Sequence, residues 1–254
     1  MSYIIDYVQH KFKGVDLSFR TEAVVQETGA AAIARQLGKE ILSGRYPPGA
    51  TLPGEIELAL QFAASRNLVR EALKSLAAKG LVEARKKAGT RVRPRAEWQM
   101  LDRELLSWRL ESGPEFGFAV DLLALREAVE PAAAAAAATH QDKSMIAEIR
   151  TAFGEMVAAG ADRQRFAAPD LRFHKAILAA SGNEFMMAFG GMIEAALAAF
   201  IRISLRHREA PGPSIPLHEA VLTAIEAGDA EGARNAMLAL LSRTRENIDK
   251  DAVR

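Results

Sequence analysis

The chain has 254 residues, 49% of them hydrophobic, with 33 Lys and Arg against 32 Asp and Glu and no cysteine. That length and apolar content suit two ordinary domains with buried cores, and the missing thiols exclude a disulfide framework and a thiolate metal site. No N-terminal segment has the pattern of a signal peptide, and the most apolar stretch, residues 186–203, is broken by Glu194 and Arg202, so the expected location is the cytoplasm and not a membrane. The near-neutral total hides an asymmetry. Residues 30–95 hold 13 Lys and Arg against 5 Asp and Glu, whereas residues 96–254 hold 17 against 23. One part is suited to meet a polyanion and the other is not.

In chain order, residues 1–27 mix Tyr3, Ile4, Ile5 and Tyr7 with Lys11, Lys13 and Arg20, and form either a loosely packed arm or an extra contact to DNA or a second subunit. From Thr28, the spacing of Ala31, Ile33, Ala34, Leu37 and Ile41 predicts a helix that ends near Gly44. Residues 52–62 show a second, short amphipathic pattern that Pro53 can open, followed by the tight Ala63-Ala64 connection. Residues 65–80 predict a third helix, with Ser65 as N-cap and Gly80 as stop. Val69, Ala72, Leu73, Leu76 and Ala77 make its packing stripe, while Asn67, Arg70 and Lys74, with Arg66 nearby, face outward. Arg can fork onto guanine and Asn onto adenine, although this helix taken alone is equally an ordinary amphipathic surface helix. Its spacing from the second helix is that of a helix-turn-helix. Residues 81–93 then read as a β-hairpin wing with Arg85, Lys86 and Lys87 near its tip.

A boundary is expected at residues 94–97, followed by a helical connector over 98–108 whose Trp98 and Trp108 dock the two domains. From Gly117 onward the patterns are helical, near 117–139, 142–159, 163–181, 184–207, 215–227 and 230–250. The alanine run at 132–138 is read as helix packing.

Asp170 and His174 are four residues apart on a face that also carries Phe173 and Ile177, and His218 shares a side of a later helix with Leu222 and Ile225. Such groups are costly on apolar faces unless they are paired or bind a metal. A satisfied core Asp-His pair with an unrelated histidine accounts for them as well as a metal site does. His10, His140 and His207 read as solvated. Arg126 is the first cationic anchor for a carboxylate ligand and Arg202 the second, each equally able to form an internal salt bridge.

The run from Gly44-Arg-Tyr-Pro-Pro-Gly through Leu52-Pro-Gly-Glu, Ser65-Arg, Val69-Arg-Glu-Ala-Leu, Gly80-Leu-Val and Gly89-Thr-Arg-Val resembles the winged helix-turn-helix of the GntR family. The resemblance implies DNA contacts from Arg45, Ser65, Arg66, Asn67, Arg70, Lys74, Lys86, Lys87 and Thr90. Two positions depart from the pattern: Ala63 stands at a usual glycine, and Ile56 where many members carry a DNA-contacting arginine. Asp170-Leu-Arg-Phe-His174, Ala180-Ser-Gly-Asn183, His218-Glu and Ala227-Gly-Asp229 are similar to the FCD effector domain of the FadR subfamily. This implies a mainly α protein: an arm at 1–27, a winged helix-turn-helix of three helices and a hairpin at 28–93, a connector at 94–116 and an all-helical domain for effector binding and dimerisation at 117–254. It also implies a divalent metal, zinc or nickel, on Asp170, His174 and His218, and effector contacts from Arg126, Asn183 and Arg202. The fourth ligand position of the family is Leu240 here, so the triad holds metal more weakly, takes the effector as a ligand, or has given up metal. The Trp-containing connector resembles that of sugar-acid regulators, galactonate-operon repressors among them.

The function so implied is a homodimeric repressor of a catabolic operon whose hold on operator DNA changes when a small carboxylate such as a sugar acid binds. A metal-dependent helical-bundle hydrolase with an accessory DNA-binding domain is the alternative, but no nucleophile elbow, phosphate loop or zinc-protease helix accompanies it. An architectural DNA protein without a ligand leaves the buried polar residues unexplained.

Overall fold

The computed structural model describes residues 29–85, 88–112, 116–204 and 214–252, with backbone alone at 200–204 and 249–252. The arm expected at 1–27, Lys86 and Lys87 at the wing tip, His10 and His207 lie outside the described residues, as does the side chain of Arg202.

The described residues begin with α1 (Gly29–Leu42), α2 (Glu55–Gln61) and α3 (Arg66–Ala78), followed by the antiparallel strands β1 (Val82–Arg85) and β2 (Gly89–Val92). Ser65 caps α3 as its residue type requires, with its hydroxyl accepting from the Leu68 N–H at 3.3 Å. The α2 start is shifted from its expected place: Pro53 precedes the helix, and the Gly54 N–H donates to Glu57 at 2.9 Å. Leu37, Ile41, Leu58, Val69, Ala72 and Leu76 are fully buried between these helices. The hairpin pairs Val82 with Val92 and Arg85 with Gly89, and closes this core with the two valines. Gly80 turns the chain from α3 into β1 at φ +73°, and a Cβ there would lie 2.2 Å from the Glu97 carbonyl oxygen, so the stop must be glycine.

The connector differs from expectation. A 3-10 turn covers Arg95–Glu97, and the helix α4 spans only Arg103–Glu111. Two causes are visible: the Trp98 indole N–H donates back to the Arg93 carbonyl at 2.9 Å, which holds Trp98 extended, and Asp102 caps α4 through the Leu105 N–H at 2.9 Å. Both tryptophans belong to the N-terminal core and do not bridge two cores as expected. Trp108 lies so close to Gly38 that a Cβ there would fall 2.5 Å from the indole. Contact with the second core falls instead to Leu106 and Leu110.

That second core is all helix: α5 (Phe116–His140), α6 (Lys143–Ala159), α7 (Arg163–Ala180), α8 (Glu184–Ala188), α9 (Gly190–Ser204), α10 (Ile215–Glu226) and α11 (Ala230–Ala252). Ala133, Ala134, Ala137 and Ala138 are buried with no more than 1% exposure, as the packing reading of the alanine run expects. The single helix expected over 184–207 is broken at Phe189. The following Gly190-Gly191 pair has low helix propensity and lets α9 start hard against Lys175 of α7 and Arg103 of α4.

Ala63 occupies the helix-turn-helix turn at φ +47°, a left-handed conformation that costs a residue with a Cβ about 1–2 kcal/mol. Because Ala63 is exposed, Ala63→Gly removes this strain without opening a cavity. The substitution is expected to stabilise the fold by about 0.5–1 kcal/mol, read as a higher denaturant midpoint at constant slope.

Candidate functional site

Two helices bring Asp170, His174 and His218 together. The i,i+4 spacing on α7 stacks Asp170 and His174 on one face, and His218 enters from the first turn of α10. Their ligand atoms all lie within 4.8 Å of one another. Asp170 Oδ1 is 3.0 Å from His218 Nε2 and 3.7 Å from His174 Nε2. Phe173 packs edge-on against both imidazoles and Phe166 against His218, so the walls are apolar. The convergence expected from sequence is therefore present.

The second nitrogen of each imidazole is engaged elsewhere. His218 Nδ1 donates to the Ser214 carbonyl at 2.8 Å, which turns Nε2 toward Asp170; Nε2 is buried and has no aligned hydrogen bond. His174 Nδ1 lies 2.5 Å from Glu130 Oε2 of α5. Glu130 is fully buried and accepts at Oε1 from Arg126 Nε, also at 2.5 Å. Arg126 Nη2 is 3.2 and 3.3 Å from the two ring nitrogens of His174. An in-plane donor would be far from one of them, so the guanidinium rests over the ring face. Burial acts to raise the Glu130 carboxyl, but the Arg126 charge and His174 outweigh it and bring it down to about 2. Burial likewise opposes ionisation of Asp170, and nearby His218, His174 and Arg126 hold it below the ordinary carboxylate value.

A cation fits this donor set. With a proton on His218 Nε2 the 3.0 Å contact to Asp170 is an ion pair; with a lone pair there it is repulsive unless a cation lies between them, so the same two atoms can take a proton or a metal ion. Tetrahedral ligands about 2.1 Å from a first-row ion lie roughly 3.4 Å apart, between the two Asp170 to histidine separations. The carboxylate–imidazole contact through Glu130 is the usual companion of a metal-binding histidine.

The other expected residues are distributed as follows. Asn183 is exposed, and its side-chain oxygen caps α8 by accepting from the N–H groups of Phe185 and Met186. Leu240 is 4% exposed on α11, within the same helical core as Phe173 and Leu222. On the basic half, Arg66, Asn67, Arg70 and Lys74 are exposed along α3, as expected from the stripe opposite Val69 and Leu76. Arg70 Nη2 pairs with Glu55 at 2.8 Å and Lys74 with Glu71 at 2.8 Å. Arg45 pairs with Glu40 at 3.0 Å, and Thr90 is half-buried in β2 opposite Ala84. Ile56 is 57% exposed on α2.

Residues 30–92 match the family described as bacterial regulatory proteins, gntR family, and residues 121–243 match the FCD domain. The galactonate operon transcriptional repressor of Escherichia coli (strain K12) is 35% identical over 84% of this chain and 93% of its own length. The chain belongs to the GntR family. A second relative, the uncharacterized HTH-type transcriptional regulator YieP of the same organism, is 35% identical over 87% of this chain and 95% of its own. A solved structure from work on Lar, which controls the Listeria monocytogenes agr system, covers 88% of this chain and 97% of that one at TM-score 0.61 and 17% identity, and shows the shared fold. This GntR-family protein is a ligand-responsive, DNA-binding transcription regulator and not an enzyme; the relatives are regulators, and the hydrolase alternative finds no support among them.

Glu130 was missed by sequence reasoning. The signal was present as an Arg126/Glu130 pair at helical spacing inside an apolar helix that continues into Pro131 and the alanine run. Arg126 was open to two readings, a ligand anchor or an internal salt bridge; the residue is 1% exposed and pairs with Glu130. Arg126→Met leaves a buried carboxylate without its strongest cation, so a loss of about 3–5 kcal/mol is expected. The double variant R126M/E130M should recover part of it, checked by urea unfolding of both.

Proposed function

We propose that this regulator acts as a homodimeric repressor of a catabolic operon, and that a small hydroxycarboxylate of the sugar-acid class reaches the Asp170, His174 and His218 triad and loosens its hold on the operator. The observation that carries the reading is the orphaned His218 Nε2 beside Asp170 in the core of a helical effector domain. A divalent ion held by these three residues would supply a Lewis-acidic anchor for the effector's carboxylate. Because Arg126 is engaged by Glu130, the three residues Asp170, His174 and His218 would hold the ion in the anchoring place, with Asn183 and Arg202 as further effector contacts. The galactonate operon named for one relative supports the class of ligand and the sense of regulation. The working division is an arm at 1–27, a DNA-binding unit at 28–93, a connector at 94–116 and an effector and dimerisation unit at 117–254. Two such DNA-binding units suit two operator half-sites.

In the DNA-binding unit Arg66, Asn67, Arg70 and Lys74 read or grip the major groove, Ser65 orders the start of that helix, and Arg45, Lys86, Lys87 and Thr90 contact the backbone from the flanks and the wing. Operator titrations with a panel of aldonates test the function, and an operator affinity that no acid in the panel changes would refute the ligand class. In the same assay Arg70→Ala is expected to cost about 1–3 kcal/mol of binding with the dimer intact, and unchanged affinity removes Arg70 from the interface.

Leu240 is the position at which the metal reading is most exposed to failure. Leu240→His is expected to raise zinc affinity over the parent, and Asp170→Ala to abolish that gain. Competition with a chromogenic chelator measures both, and equal affinity of parent and variant places residue 240 outside the site.

A further inference from the structure

We infer that Glu130, which contributes no ligand, is the positioning residue that makes the triad a site at all: it fixes the tautomer of His174 so that the lone pair of Nε2, and not an N–H, faces Asp170 and His218. The inference rests on the metal reading above for its purpose, but not for its geometry. Glu130 Oε2 stands 2.5 Å from His174 Nδ1, and two lone pairs cannot face each other at that distance, so Nδ1 bears the proton. The imidazole is rigid. With Nδ1 turned to α5, Nε2 on the opposite side of the ring is left 3.7 Å from Asp170 Oδ1. Arg126 completes the device. Its Nε–H holds Glu130 Oε1 at 2.5 Å, so the carboxylate cannot turn that oxygen elsewhere, and Oε2, which Nη2 meets only at 3.4 Å, is the oxygen that faces His174. His218 is set the same way by a backbone carbonyl, its Nδ1 donating to Ser214 at 2.8 Å. Both imidazoles thus present the same nitrogen inward, one directed by a side chain of α5 and the other by the backbone at the start of α10.

This arrangement makes an unusual demand on an isosteric variant. In Glu130→Gln, the short contact of Arg126 Nε–H at 2.5 Å needs an acceptor more than the 3.4 Å contact of Nη2 does, so the amide oxygen takes the Oε1 position and the NH2 group takes Oε2, 2.5 Å from His174 Nδ1 in the parent. An NH2 donor there requires a bare Nδ1. The proton moves to Nε2, where it points at Asp170 and blocks coordination. A substitution that alters neither volume nor ligand count therefore flips the histidine.

The test uses the full-length chain with 15N-labelled histidine at mildly alkaline pH, without metal, and with His174 assigned by His174→Gln. Long-range proton–nitrogen spectra of the parent are expected to show His174 as the Nδ1–H tautomer, and those of Glu130→Gln as the Nε2–H tautomer. Zinc affinity, measured separately by chelator competition, should fall roughly ten- to hundredfold in Glu130→Gln. An imidazolium or an Nε2–H tautomer in the parent overturns the inference without any variant, and so does a Glu130→Gln protein with the parent's tautomer. If the tautomer flips as expected and neither protein binds zinc, the positioning role of Glu130 stands and the metal reading falls.

Discussion

A carboxylate cut off from water must find charge or hydrogen-bond donors, and Glu130 finds both, on its own helix and on the next. Removing an ion from solvent costs several kcal/mol even after relaxation, so Glu130 is tolerable only because Arg126 and His174 meet it at 2.5 Å each. Those contacts tie α5 to α7 at the level of the triad. Around them the packing is small and tight: alanines of α5 let neighbouring helices approach, and Phe173 closes over both imidazoles. The polar centre and the apolar shell depend on each other, since the shell strengthens every charge inside it and the charges fix the register in which the shell can close.

The connector shows how one short helix serves two cores. On α4, Leu105 and Trp108 belong to the winged-helix core while Leu106 and Leu110 belong to the helical one. Polar contacts reinforce the first attachment: Arg109 donates to the Leu42 carbonyl at 2.6 Å, Arg35 pairs with Glu111, and Lys79 is held by Asp102 and Glu104. On the other side, half-buried Glu194 of α9 lies near both Arg103 of α4 and Lys175 of α7, the residue that follows His174. A continuous set of contacts thus leads from the triad to the helix that carries the DNA-binding half. This is spatial adjacency, and coupling along it is a matter for measurement.

The exposed face of α3 is partly engaged within its own unit. Arg70 is forked onto Glu55 of the preceding helix, so any anion that approaches Arg70 must compete with, or share, an acidic partner already in place. Beside it Ile56 offers only apolar surface, whose specific partner in a major groove is a thymine methyl.

Much of this was legible without coordinates because it depends on local rules. Ser65 caps a helix where its side chain can accept from a first-turn N–H, the apolar periods mark which faces pack, and the i,i+4 spacing alone puts Asp170 and His174 together. Charge partition located the nucleic-acid half, since a net surplus on one segment needs no tertiary information. What the sequence could not decide was every matter of partnership across distance. Arg126 was equally a ligand anchor or half of an internal ion pair until α7 brought His174 against it and Glu130 met its fork. The tryptophans looked like bridges between two cores until Gly38 made room for Trp108 within one of them. The break at Phe189 precedes the Gly190-Gly191 pair that the sequence shows, while its close neighbours Lys175 and Arg103 are supplied only by the packed helices. Periodicity tells a residue which way to face, and the fold alone determines what it meets there.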